Sequence, residues 1–574
     1  MNRIIRLFSS AVPRQRPWTW GDLVALLSVT VLVYAGTRLA FYAPAVIRGP
    51  EISLSPDVLP LYAGLSFTRM LIAYGMSLIF SLWYGNVALG NQRAEQILIP
   101  LLDVLQSVPI LSFLPVVLLG LSAFLSQNTA AELASIVLIF TSQTWNLTFA
   151  WYQSQKTMPR ELREVAAIFQ FNAWLRFKVL DLPFATIGLV WNSIMSWAGG
   201  WFFLMAAEIF TVGKKDFRLP GLGAYLNEAA NRGDGNALSL GLITLIAMII
   251  FLDQVLWRPL LAWSDRFKLE TLGSVPAPNS WFYDAWRKSR VVADWVRAGA
   301  GLALAPLARI IGLLASRPAE TVDAEPARGW KTTVFFIVGG AILGWGSYLA
   351  IAMLARVSLQ EWSQIGLGLG ATALRVLAAI IVALLWTVPV GVAIGMNPRL
   401  SAWLQPVAQV AASIPATALF PVLLLGLLTA PGGLNLTAVL LMLMGTQWYL
   451  LFNVIAGASA IPHELEHTAK VLRLNKWQRW RVLTLPALFP YIITGLITAG
   501  GGAWNASIVA EYTVFGGKVH SVLGIGSAIA EATASGHYPV LLAATLSMII
   551  AVVLINRFAW RPLYRLAEVR FRMD

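Results

Sequence analysis

MPRELREVAAIFQFNAWLRFKVLDLP (Met158–Pro183) aligns with IPHELEHTAKVLRLNKWQRWRVLTLP (Ile461–Pro486) at a constant spacing of 303 residues, sharing Pro159, Glu161, Leu162, Ala166, Asn172, Trp174, Arg176, Leu182 and Pro183 of the first copy. The register holds downstream. Trp201 matches Trp504, Glu208 matches Glu511, Gly221 and Gly223 match Gly524 and Gly526, and Trp257-Arg258-Pro259-Leu260 matches Trp560-Arg561-Pro562-Leu563. Upstream the spacing becomes 306, pairing Arg69 with Arg375, Ser107 with Ser413, Pro109 with Pro415, Pro115 with Pro421 and Gly120 with Gly426. Such a repeat fixes architecture more firmly than any single motif. The chain reads as two copies of one unit, residues 1–263 and 332–574, joined by a connector at 264–331.

The 574 residues are 57% hydrophobic and only 12% charged, against about 25% charged in soluble proteins. Apolar stretches such as Leu23–Tyr42, Met70–Leu89, Val334–Leu354 and that ending in Ala543–Ile555 suit a hydrocarbon core of about 30 Å. The expected fold is an all-α polytopic membrane protein with two tandem repeats of about six transmembrane helices each. An even number of spans returns the chain to its starting side, so the copies run parallel, with a path between them. The first apolar run, preceded by Arg3, Arg6, Arg14 and Arg16, is too long for a signal peptide and lacks a small-residue cleavage site, so it reads as a retained span.

Without cysteine there is no disulfide or thiolate centre. The four histidines, His463, His467, His520 and His537, are too scattered to suggest a metal site. Most of the 42 Lys and Arg behind the net charge of +14 fall in segments on one side of a twelve-span arrangement. That is the positive-inside pattern and not a nucleic-acid footprint. Lys214, Lys215, Arg218 and Arg232 fall outside it, and either attract an anion or mark a topology error. Within the connector, Trp281–Ala298 mixes aromatic and basic residues; it either lies flat in the interface or is a loose linker.

Each repeated loop has helical logic. Pro159 and Pro462 suit a first turn, Glu161, Glu164, Glu464 and Glu466 follow, and basic residues come later, in the order a helix dipole favours. Leu162, Val165, Ala166 and Phe169, and Leu465, Ala469 and Leu472, recur at helical spacing. A short amphipathic cytoplasmic helix results, shaped as a knob for a partner's groove.

The pattern resembles the EAA loop of ATP-binding-cassette importer permeases. Glu164-Val165-Ala166 and His467-Thr468-Ala469 fall at the Glu-Ala-Ala positions, and Leu182-Pro183 and Leu485-Pro486 at the closing Leu-Pro. Two departures stand out: the family glycine is Gln170 in one copy and Arg473 in the other, and His467 replaces a glutamate. Ser107, Pro109, Pro115 and their counterparts, with Ala207-Glu208 and Ala510-Glu511, resemble the nitrate, taurine, sulfonate and bicarbonate branch, and the duplication resembles its fused anion-transport type. The resemblance implies a non-catalytic permease with ATPase-coupling residues Glu161, Leu162, Glu164, Ala166, Phe169, Glu464, Leu465, His467, Ala469 and Leu472. It implies two partner ATPase subunits binding ATP and Mg, an extracytoplasmic substrate-binding protein, a small anionic substrate, and the bacterial cytoplasmic (inner) membrane with both termini cytoplasmic.

No G-x-x-x-x-G-K-[ST] phosphate loop occurs; Phe515-Gly516-Gly517-Lys518 is followed by Val519 and reads as a turn. The nucleotide is therefore expected on partner subunits, with no cofactor in the chain itself. Intramembrane polar groups are costly and mark candidate translocation-path positions: Arg69, Gln143, Trp201, Glu208, Arg375, Gln447, Trp504, Asn505 and Glu511. Glu208 and Glu511 pair with Arg69 and Arg375 or line the path, and the arginines otherwise snorkel. Gln143, Trp145, Asn146, Gln447, Trp448 and Asn505 either bind an oxyanion or bond between helices. Pro109, Pro115, Pro415 and Pro421 are expected to break helices and bare backbone groups to a cavity. The alternative is an ion-coupled secondary transporter built from fused repeats, which needs titratable groups near the midplane, whereas these acids lie at span edges.

Overall fold

The computed structural model describes residues 20–44, 49–90, 92–212, 215–267, 282–284, 330–427, 429–459, 461 and 463–570. Nearly all of the connector, Lys214, Pro462 and the N-terminal arginines lie outside them. The first half runs α1 (Trp20–Ala40), α2 (Leu59–Gly90), α3 (Gln92–Ser107), α4 (Leu114–Ser122), α5 (Gln127–Thr157), α6 (Arg160–Ile168), α7 (Ala173–Arg176), α8 (Leu182–Glu208), α9 (Leu222–Asn231), α10 (Gly235–Leu252) and α11 (Arg258–Ser264). The second repeats it: α12 (Trp330–Leu354), α13 (Leu359–Gly395), α14 (Pro398–Ser413), α15 (Ala416–Leu427), α16 (Gly433–Ser459), α17 (His463–Val471), α18 (Lys476–Arg479), α19 (Leu485–Glu511), α20 (Ile525–Ser535), α21 (Tyr538–Ile555) and α22 (Arg561–Arg570). Apolar helices dominate because only a closed internal hydrogen-bond ladder satisfies the backbone in hydrocarbon.

Ten helices are long and apolar enough to cross a membrane, and α3–α4 and α14–α15 form bent pairs with angles of 87° and 80°. Side-chain pairing shows how the bent pairs run. Glu95, at the start of α3, meets Lys156 at the end of α5 at 2.8 Å, whereas Glu132, near the start of α5, meets Arg69 of α2 at 2.6 Å. The α3–α4 pair thus carries the chain from one end of the bundle to the other and counts as one crossing; by the repeat α14–α15 does the same, giving six per half among the described residues. Pro109 and Pro415 sit at the two bends, and Pro115 falls at the start of α4, where its missing N–H is harmless. Pro421 departs from expectation: α15 runs through it. Only the bond to the Thr417 carbonyl one turn earlier is lost, which one turn of helix tolerates.

Helices α2, α5 and α8 form the spine of one half and α13, α16 and α19 that of the other. A single apolar core joins residues of both, including Leu111, Phe420 and Trp504. The halves interlock at the bends. Leu111 N–H donates to Asn505 Oδ1 at 3.3 Å, and Thr417 Oγ1 donates to the Phe202 carbonyl at 3.1 Å, two contacts at equivalent places in the repeat. At the end away from α6, hairpin β1 (Thr211–Val212)–β2 (Lys215–Asp216) packs on α20, and hairpin β3 (Tyr512–Phe515)–β4 (Lys518–Ser521) reaches the C-terminus of α9 through Gly516 N–H on Asn231 Oδ1 at 3.0 Å. Gly516 and Gly517 both have positive φ, as a two-residue hairpin turn requires, so the expected turn is present.

Candidate functional site

Helices α6 and α17 are the repeated loops. Both stop in the same way, on a residue in the left-handed region: Gln170 and Arg473 each have φ of 49°. Phe171 N–H donates back to the Ala166 carbonyl at 3.0 Å and Leu474 N–H to that of Ala469 at 3.1 Å. This is the helix ending that glycine ordinarily supplies, and it is kept here although glycine is absent. Asn172 then caps α7 through Leu175 N–H at 2.7 Å, and Asn475 caps α18 through Gln478 N–H at 2.7 Å, which explains why the repeat retains asparagine. A π-helical turn follows in each copy, Phe177–Asp181 and Trp480–Thr484, before α8 and α19 begin with Leu-Pro.

Ala166 and Ala469 face inward and are buried, while Glu161, Glu164, Val165, Ile168 and Phe169, and Glu464, Leu465, His467, Val471 and Leu472, are exposed; Leu162 is half-buried. Arg163 ties α6 to α5 by donating to the Gln155 carbonyl. Each loop thus presents apolar side chains at the end of a short anchored helix, at the same end of the molecule.

At the other end, each spine holds a buried arginine–glutamate cluster. Arg69 Nη1 lies 2.8 Å from Glu208 Oε1, which also accepts from Ser66 Oγ at 2.6 Å, and Glu208 Oε2 accepts Gly223 N–H at 2.7 Å. In the second copy Arg375 Nη1 lies 2.8 Å from Glu511 Oε1, Thr372 Oγ1 donates to it at 2.7 Å, and Gly526 N–H donates to Oε2 at 2.9 Å. The carboxylates accept from the first turns of α9 and α20, where a helix dipole favours negative charge. Gly221 and Gly524 are required because a Cβ there would overlap the carboxylates. Both glutamates are fully buried, as are Trp201 and Trp504 nearby. The arginines are paired and do not snorkel. Sequence reasoning missed Ser66 and Thr372, although the spacing of 306 relates them; the further partners of the arginines, Glu132 and Asn435, share no residue type to reveal them.

Asn505 is spent on the inter-half contact with Leu111. Gln143 is fully buried beside Gly200, and neither amide atom has a hydrogen-bond partner among the described residues. Gln447 is half-buried on α16, next to Trp448, whose ring packs edge-on to Trp386 at 6.3 Å. Among the basic residues at the hairpin end, Arg218 is held by Asp216 at 2.8 Å and Glu228 at 2.9 Å, and Arg232 by Glu228 at 2.7 Å. Burial pulls the Lys215 amine below its ordinary value, and it donates to the Thr533 carbonyl at 3.4 Å. These three are engaged internally.

The chain is similar to the bicarbonate transport system permease protein CmpB of Synechococcus elongatus, 30% identical over 187 residues, 32% of this chain and 64% of the relative. It is 28% identical over 194 residues to the nitrate import permease protein NrtB of a Synechocystis species, 34% of this chain and 67% of the relative. It is 26% identical over 144 residues to the taurine transport system permease protein TauC of Escherichia coli, 25% of this chain and 50% of the relative. The chain thus spans about half to two thirds of the length of these relatives. A family model matches twice, over residues 61–256 and 376–559, covering most of both spines and both loop helices. With that double match laid over a repeated helical fold, the chain belongs to the family of binding-protein-dependent transport system inner membrane components.

Proposed function

We propose that the chain is the permease subunit of an ATP-binding-cassette importer for a small anion of the nitrate, bicarbonate, taurine or sulfonate class. The substrate path runs between the fused halves. Helices α6 and α17 dock on two separate ATPase subunits, which bind ATP and Mg, at the cytoplasmic face of a bacterial inner membrane, and a binding protein delivers substrate at the hairpin end. The observation that carries this reading is the pair of anchored helices at one end, each ending in exposed apolar side chains (Ile168 and Phe169; Val471 and Leu472). Two apolar knobs of this kind suit grooves on two partners.

Closure of the ATPases on ATP draws α6 and α17 together, and the halves rock about the contacts at Leu111–Asn505 and Thr417–Phe202. Gln143 and Gln447 stand beside that path as neutral donors, able to release an anion that a fixed cation would retain, while Asn505 is taken up by Leu111 and the Gly501 carbonyl. The buried arginine–glutamate clusters brace each spine. This arrangement favours ATP-driven import over ion coupling, because Glu208 and Glu511 are each held by arginine and do not stand as free titratable groups.

In proteoliposomes holding the chain and its ATPase, at least one of nitrate, bicarbonate and taurine, given with its binding protein, is expected to raise ATP turnover several-fold. Phe169→Ser with Leu472→Ser should remove that stimulation. Anion uptake driven by a proton gradient without ATP would overturn the proposal.

A further inference from the structure

The repeat breaks at its first helix. Helix α1 packs on α3 and α4 of its own half and on α21 of the other. Gly36 lies directly against Val116, a Cβ at Gly120 would lie 3.6 Å from the Gly36 carbonyl oxygen and 3.7 Å from Leu39 Cβ, and the Tyr538 hydroxyl donates to the Ala40 carbonyl at 2.6 Å. Helix α12 carries the matching stripe, Gly346, Leu349 and Ala350 for Gly36, Leu39 and Ala40. It does not occupy the matching seat. It packs on α1 and α21, with Gly346 against Val31.

Among the described residues, the equivalent groove between α10 and α14–α15 is consequently bare. Val422 is 36% exposed where its counterpart Val116 is 3%, and Ile243 is 62% exposed where Leu546 is 6%. Gly426 has nothing within 4 Å of a Cβ position, whereas its counterpart Gly120 is covered.

Loop length explains the asymmetry. Residues 41–58 carry the chain from α1, beside Tyr538 of the second half, to α2, passing Tyr225 of the first through its hydroxyl on the Leu54 carbonyl at 3.1 Å. The mirrored link is only Ala355–Ser358, and it leads to a helix whose first turn is pinned at α21 by Glu361 to His537 at 3.3 Å. Four residues span at most roughly 14 Å, so α12 is held on the α21 side and cannot make the crossing that the 18-residue link makes.

We propose that the groove between α10 and α14–α15 seats a transmembrane helix supplied by a separate membrane polypeptide. That helix is apolar throughout and carries small residues four apart, as α1 does with Gly36 and Ala40, so that its backbone closes onto Gly426. The occupant's chemistry is set by the filled seat in the other half, not by the family assignment.

The chain contains no cysteine, so each introduced thiol is unique. The probe is a synthetic peptide spanning Trp20–Ala40 with Gly36→Cys, added to nanodiscs holding the full chain with Val422→Cys, with Leu425→Cys as a second seat position and Leu374→Cys as a lipid-facing control. Disulfide formation at Val422→Cys or Leu425→Cys is expected to exceed that at Leu374→Cys at least tenfold, and Gly426→Leu should return it to the control level. Equal cross-linking at all three positions would mean that lipid alone covers the groove and would overturn the proposal. So would a disulfide-linked dimer of Val422→Cys chains that excludes the peptide, which would make a second copy the occupant. Neither result bears on ATP-driven import.

Discussion

Arg69 is clamped between two carboxylates, Glu208 at 2.8 Å and Glu132 at 2.6 Å, whereas Arg375 has one carboxylate, Glu511 at 2.8 Å, and the amide of Asn435. The buried part of each cluster is the same: glutamate, a hydroxyl at Ser66 or Thr372, and a backbone N–H at the start of α9 or α20. Only the outer partner differs. The invariant portion holds a short helix on its spine, and the second anion is optional.

The largest effect should come from removing the buried carboxylates. Glu511→Ala strands Arg375 without any carboxylate, and the expected loss is about 3–5 kcal/mol. Glu208→Ala should lie at the low end of the same range, because Glu132 remains on Arg69. Denaturant midpoints of the detergent-purified chain measure both, and equal losses would break the comparison. Next comes Gly526→Ala, whose Cβ would lie 2.7 Å from the Ser507 carbonyl oxygen and 2.8 Å from Ile508 Cα. Backbone cannot yield, so a cost of about 1–3 kcal/mol is expected. Gly223→Ala meets the side chains of Glu208 and Met205 and should cost less in the same assay.

Exchanging the outer partners sharpens the contrast further. Asn435→Glu should stabilise by up to about 1 kcal/mol and Glu132→Asn should lose a similar amount, both discounted because the Glu132 side chain is 40% exposed. Raising salt should shrink both effects and leave those at Glu208 and Glu511 nearly unchanged. The smallest effect is expected at the loop helices. Gln170→Gly or Arg473→Gly relieves a left-handed residue and should gain at most about 1 kcal/mol, part of it returned through the freer unfolded chain.

The repeat, the membrane class and the two loop helices were legible because each is written in local pattern: apolar runs, constant spacing, and Pro159 ahead of acidic residues. The Arg69–Glu208 and Arg375–Glu511 pairings followed from matched positions at span edges. Other features depend on distance in space. Glu132 and Asn435 lie some 60 residues from their arginines and do not match each other. The contact of Asn505 with Leu111 joins residues 394 apart. Helix α12 reads like α1, yet it sits elsewhere because a four-residue link replaced one of 18. Pro421 was expected to break α15 and does not, because the cost of one lost hydrogen bond depends on packing that a residue pattern does not encode.

The central claim is that α6 and α17 together grip external ATPases, and the affinity of purified partner ATPase for the chain in nanodiscs tests it most directly. The account predicts that Phe169→Ser or Leu472→Ser alone weakens binding at least tenfold and that the two together abolish it. Unchanged binding by the double variant would contradict it.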